Sequence, residues 1–206
     1  MNGNNAKQLS FLHNCIYTTE KDSKELYMKK GEKKKQEIIE KTADYILLNG
    51  LQASSLRNLA KAAETSDRML LHYFNDKEEL FTVVLSFISQ KLIYMLHNTE
   101  MEKHSFQTLV PHLYNMMRDP EVRPYIKLWL ELVAVASKEG DPFHSVAKEI
   151  CDSFYQFYLD IIKVDEGEDK EQVAALALVT IEGIALLDAV GDDARITKAI
   201  AAINKG

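Results

Sequence analysis

Apolar positions along this 206-residue chain recur at intervals of three and four almost throughout, the period of an α-helix with one buried face. Ile38, Ile39, Thr42, Ala43, Ile46 and Leu47 form the first stripe, predicting a helix over about 32–49 that Asn49-Gly50 ends. The pattern then shortens. Leu56, Leu59, Ala60 and Ala63 mark a brief helix, and Thr65-Ser66 interrupts it with two good N-cap residues. Met69, Leu70, Tyr73 and Phe74 resume the spacing for two turns. Asp76 and Glu79 stand as cap and third residue of a longer helix, which runs through Leu80, Phe81, Val84, Leu85, Ile88 and Leu92 to about His97. Further helices are predicted at about 105–118, 121–138, 143–163, 169–190 and 193–204. Between them stand breaks at Asp119-Pro120, Gly140-Asp141-Pro142 and Glu166-Gly167. No run of alternating apolar residues bounded by turns occurs, so the fold class is all-α.

A helix, a three-residue break and a second short helix is the arrangement that lays the second helix in a DNA major groove. The residues at these positions also carry a resemblance. Ser54-Ser55-Leu56, Leu59-Ala60, Ala63, Ser66, Leu70, His72-Tyr73-Phe74, Lys77-Glu78 and Leu80 resemble the helix-turn-helix of TetR-type transcriptional regulators, and the likeness runs over about residues 33–92. Two positions depart from that pattern. Glu64 stands where the family usually has glycine, implying local backbone strain, and Leu71 stands where it usually has tyrosine. The resemblance implies DNA contacts from Arg57, Asp67, Arg68, Met69, Leu71, His72 and Tyr73. Arg57 and Arg68 suit base reading, because a guanidinium grips guanine O6 and N7 with two bonds. Ser54, Ser55, Thr65, Ser66, Tyr73 and Lys77 suit phosphate through hydroxyls, helix N-termini or charge. Each serine serves equally as a plain N-cap, and Tyr73 serves equally as a core residue.

Charge sharpens this division. The chain as a whole carries −6, yet residues 29–77 hold ten Lys/Arg against seven Asp/Glu, while residues 78–206 carry −9. A mildly basic head on an acidic body presents one end to phosphate. Lys29, Lys30, Lys33, Lys34 and Lys35 cluster just before the first helix, either as a solvated linker or as an arm toward phosphate or minor groove. The domains expected are an extension over 1–31 with a small apolar patch, a helix-turn-helix domain over 32–78 and a helical body over 79–206.

The body contains no nucleophile–base–acid arrangement and no Gly-rich phosphate loop, so neither catalysis nor a cofactor is expected. His97, Glu100 and His104 have metal-like spacing but straddle a helix end, and no metal is expected. Cys15 and Cys151 are far apart, which suits a reducing cytoplasm. No segment reads as a signal peptide or membrane span; the most apolar run, Val173–Val190, is short and carries Glu182 and Asp188. His112, Met116, Met117, Tyr125 and Trp129, on helices that would face Phe154, Tyr155 and Tyr158, are candidates for an effector cavity, with Glu131 and Glu182 interrupting apolar runs. Trp129 and Glu131 lie about 200° apart on their helix, so Trp129 is expected inside and Glu131 toward a neighbouring helix or solvent. The run at 169–190 is apolar nearly all round and the last helix repeats the cue with Ile196, Ile200 and Ile203, which predicts a face buried against a partner. TetR-type proteins pair through their last two helices. The expected function is therefore a cytoplasmic, homodimeric, ligand-responsive regulator, a repressor on a palindromic double-stranded operator, with a helical enzyme or small-molecule carrier as the rival reading.

Overall fold

Short-range signals start and stop the helices of this protein, and a computed structural model describes them for residues 30–97 and 103–204. Among those residues the elements are α1 (Lys30–Asn49), α2 (Leu56–Ala62), α3 (Asp67–Tyr73), α4 (Lys77–His97), α5 (Phe106–Met117), α6 (Arg123–Glu139), α7 (Phe143–Ile161), α8 (Lys170–Ala189) and α9 (Asp193–Ile203). The architecture is all-α; an isolated bridge between His104 and Ile162 is the one trace of β-pairing among the described residues. Residues 1–29 of the expected extension, with Cys15 and Lys29, lie outside the described residues, as does Glu100; Lys30 and Gly31, also expected in the extension, already belong to α1.

α1 ends where Gly50 takes φ 78° and its N–H closes on Ile46 O at 2.8 Å. Its stripe turns inward: Ile38, Ile39, Ala43 and Ile46 are buried. Thr42 is buried with them, its hydroxyl satisfied by donating to Ile38 O at 2.6 Å. α2 and α3 pack beneath through Leu59, Ala60, Ala63, Leu70 and Phe74, all buried. Helices of seven residues cannot persist alone, so this packing is what holds them. Truncating Phe74 to alanine would cost about 3–5 kcal/mol.

Glu64, between α2 and α3, has φ 53°, the positive value expected where glycine is usual. Its carboxylate accepts from Lys41 Nζ on α1 at 2.6 Å, and that lysine holds it below the ordinary carboxylate range. The ion pair ties the strained turn to α1. Asp76 caps α4 by accepting from Glu79 N at 2.7 Å, while the Glu79 carboxylate accepts from Asn75 N at 2.8 Å, a capping box displaced by one residue.

α4 leaves the head and enters the body, packing on α1 at one end and on α6 and α7 at the other. The body closes as α5, α6 and α7 gather around α8, with α9 laid across α8 and α5. Two helical segments, Lys77–Leu96 and Lys170–Ala189, are long and apolar enough to cross a membrane by composition, which corrects the expectation that the C-terminal run is too short. In this fold their apolar character has other uses. α4 is central to the core, whereas α8 buries Ala174, Ala177, Ile181, Ile184 and Ala185 and leaves Leu176, Val179, Leu186 and Val190 more than half exposed. Ile184 is therefore a residue of the protomer's own interior and not of its outer face.

Candidate nucleic-acid interface and ligand cavity

The helix-turn-helix is set by two serine caps. Ser55 accepts from Asn58 N at 3.2 Å to start α2, and Ser66 accepts from Met69 N at 3.3 Å to start α3. With Leu70 and Phe74 drawn into the core, helical spacing turns Asp67, Arg68, Met69, Leu71 and His72 outward, and all five are exposed. Met69 and Leu71 are 41% and 47% exposed, two large apolar side chains on a face that otherwise carries charge. Tyr73 is half-buried against the core, its ring meeting His72 edge-on at 5.2 Å. Arg57 and Ser55 are exposed on α2, Thr65 is half-buried at the turn, and exposed Lys77 places Nζ 5.0 Å from the centre of the Phe81 ring.

Ser54 is the exception in this group. It is buried, and its hydroxyl donates to Gly50 O at 2.7 Å, so it fastens the loop before α2 and does not reach the outer face. Neighbouring residues in a sequence motif thus divide between an exposed cap, Ser55, and a buried brace, Ser54, because burial of Leu51 and Ala60 decides which side of the turn faces inward.

In the body, α4, α5, α6, α7 and α8 surround a cavity of about 70 Å³. Four of the candidates, Tyr125, Trp129, Phe154 and Tyr158, line it. His112 and Met116 do not. His112 lies beside His104, the rings stacked at 5.1 Å and 20°, with its Nε2 buried and unbonded among the described residues. Burial, then the neighbouring His104, pushes its pKa down. Met116 packs on the core from the side, and Met117, one residue and about 100° further round the helix, takes the lining position. Leu85, Ile88, Ser89 and Leu92 of α4 complete the wall nearest the head.

Two carboxylates flank this cavity in different ways. Glu182 of α8 lines it and accepts from Trp129 Nε1 at 2.7 Å; burial raises its pKa, and only the Trp129 hydrogen bond opposes that rise. Its apolar surroundings were legible in sequence, its partner was not. Glu131 of α6 points the other way, to the loop between α1 and α2, where its two oxygens accept from Leu51 N at 2.9 Å and Gln52 N at 3.0 Å. A Cβ on Gly50 would sit 2.7 Å from the same carboxylate, so glycine lets the loop close on it. Trp129 inside and Glu131 toward a neighbouring element is the arrangement expected; that the neighbour is the helix-turn-helix itself came only with the tertiary structure.

Comparison with known proteins agrees with this geometry. Residues 38–84, which span α1 to the start of α4, match the family described as bacterial regulatory proteins, tetR family. The chain is 28% identical over 180 residues to the HTH-type transcriptional regulator PksA of Bacillus subtilis (strain 168), covering 81% of this chain and 83% of that protein. Its fold resembles that of a TetR-family transcriptional regulator from Cytophaga hutchinsonii, with TM-score 0.68, 17% identity, and coverage of 86% of this chain and 94% of the other. It also resembles the transcriptional regulator FadR from Bacillus subtilis, solved in complex with stearoyl-CoA, with TM-score 0.56, 15% identity, and coverage of 82% and 95%.

Proposed function

We propose, from its membership of the TetR family of DNA-binding transcriptional regulators, that this chain is a homodimeric repressor released from a palindromic operator by a small molecule bound in its body. Members of the family are transcriptional regulators and not enzymes, which sets aside the rival enzyme reading. Such a protein works where chromosomal DNA is, in the cytoplasm.

The DNA contacts follow from the outward face of α3. Arg68, together with exposed Arg57 on α2, reads base edges; Met69 and Leu71 suit the thymine methyl, the apolar feature of the major groove. Ser55, Ser66 and Lys77 hold phosphate, and His72 and Tyr73 supply polar groups where Leu71 lacks a hydroxyl. Ser54 is left out of this interface.

One observation carries the ligand response: α6 holds Trp129 in the cavity wall and, two residues on, Glu131 on the backbone of the loop that enters α2. A cavity of about 70 Å³ is smaller than the engineered cavity of about 150 Å³ that holds benzene, so a ligand of that size or larger must widen it on binding. Movement of α6 or α4 is then felt at the head, because packed interfaces shift between discrete arrangements. Ligand favours a dimer whose two α3 helices no longer fit major grooves one turn, about 34 Å, apart. That a TetR-like fold holds a small molecule is supported by the FadR complex with stearoyl-CoA.

Dimerisation through α8 and α9 is supported by the exposed stripe Leu176, Val179, Leu186 and Val190, four large apolar side chains spaced along one face of α8 and its C-cap. The test is a mobility shift with genomic fragments at several salt concentrations, repeated on a bound fragment with a library of small molecules. Sequence-selective binding that one compound class reverses is expected. Binding of all fragments alike would overturn the operator, and release by none of the compounds would overturn the ligand response.

A further inference from the structure

Among the described residues, Glu182 is a carboxylate without a cation. Oε2 accepts from Trp129 Nε1 at 2.7 Å; Oε1 makes no hydrogen bond, and no Lys, Arg or His pairs with either oxygen among the described residues. None of the residues lining the cavity is basic. The titratable groups its charge reaches are Cys151 and Tyr158, both pushed to higher pKa by burial first and by Glu182 next. The hydroxyls of Tyr125 and Tyr158, also in the wall, make no hydrogen bond among the described residues, so each offers a free oxygen.

A partly buried carboxylate of this kind weakens the empty protein, since desolvation costs more than one indole N–H returns and an apolar residue of similar volume packs at least as well. It becomes favourable when something in the cavity supplies the opposite charge. The rest of the wall suits such a guest. Trp129, Phe154 and the two tyrosines present aromatic rings, whose negative faces attract a cation, and the remaining lining is aliphatic. An anion would meet the Glu182 charge with no basic residue to offset it, and a neutral apolar ligand would leave the carboxylate as costly as before.

We propose that the cavity recognises an organic cation, a protonated amine or quaternary ammonium on an apolar body, with Glu182 as its counterion and Trp129 as the residue that aims the carboxylate. This rests on the ligand-responsive reading of the same site. It gives that reading a chemical class: the regulator detects lipophilic amines, and the charged end of the ligand lies between α8 and α6.

The experiment uses the full chain and three probes of one shape: benzylammonium, benzyl alcohol and benzoate, titrated at neutral pH against Trp129 fluorescence. Benzylammonium binds tighter than benzyl alcohol by about tenfold or more, and benzoate binds weakest. In Glu182→Gln, which keeps an oxygen for Trp129 Nε1, the order collapses while benzyl alcohol affinity stays. Glu182→Met replaces it should the amide variant fail to fold, as judged by circular dichroism. Equal or tighter binding of the alcohol, an ammonium preference that survives loss of the charge, or binding of none of the three at millimolar concentration would overturn the proposal. If benzylammonium binds as stated but leaves operator affinity unchanged, the cation site stands and the ligand-responsive reading falls. If only neutral or anionic compounds bind and release DNA, the reverse holds.

Discussion

The head and the body of this protein are both helical, yet their functional residues are specified in opposite ways. In the head, caps and breaks a few residues apart set two seven-residue helices, and the residues facing out are those the core leaves over. In the body, α4 and α8 carry apolar residues on most sides, and for them only the neighbours decide which side meets a cavity, a core or water. α8 is the extreme case: Ile181 faces the cavity, Ile184 the core, Val179 and Leu186 the solvent. The comparison teaches that periodicity is a dependable guide where it leaves one face apolar, and a weak one where it leaves several.

The most disruptive way to test that contrast is on the outer face of α8. Val179→Glu with Leu186→Glu places charge on exposed positions, so each protomer folds as before, while a dimer interface there would have to bury unpaired carboxylates. Sedimentation should report monomers, and operator affinity should fall about a hundredfold or more as the linked second half-site is lost. A dimer that survives the double change would move the interface elsewhere.

In the head, Arg68→Ala removes an exposed guanidinium without touching the core. It should cost about 1–3 kcal/mol of operator binding and relax preference at one base pair per half-site, at an unchanged melting temperature. Selection of binding sites from a random pool checks it. Undiminished preference would take Arg68 out of base reading and leave it with phosphate.

Glu131 belongs to both regions. Glu131→Ala removes two hydrogen bonds to Leu51 N and Gln52 N, each accepted by a charged group, and should cost about 1–3 kcal/mol of thermal stability. Its more telling effect is on coupling. Ligand affinity, read from Trp129, should hold, while the factor by which ligand weakens DNA binding, typically about 5–150-fold in such systems, should shrink toward one. Coupling left whole would assign the transmission to α4 alone.

The smallest effect is expected at Glu64, where Glu64→Gly relieves φ 53° but gives up the Lys41 bond. The melting temperature should rise by about 2 °C, with no change in base preference. A fall would mean that the ion pair between α1 and the turn outweighs the strain.

What the sequence by itself determined is the set of helices and the exposed face of α3. Ser55, Ser66, Asp76 and Gly50 act over one turn, so each cap or stop stands beside its hydrogen-bond partner in the sequence, even where packing is what holds the helix. For the same reason the strained turn at Glu64 was legible, since φ preference is a property of one residue. Tertiary structure alone decided the contacts that cross between elements. It buried Ser54, chose Met117 over Met116 for the cavity wall, set Ile184 inside the protomer, and joined Glu182 to Trp129 and Glu131 to the loop 79 and 80 residues away. A helix fixes the angle between its own side chains but not its rotation against its neighbours. That rotation is set by close packing of several apolar faces at once, and no single stretch of the chain contains it.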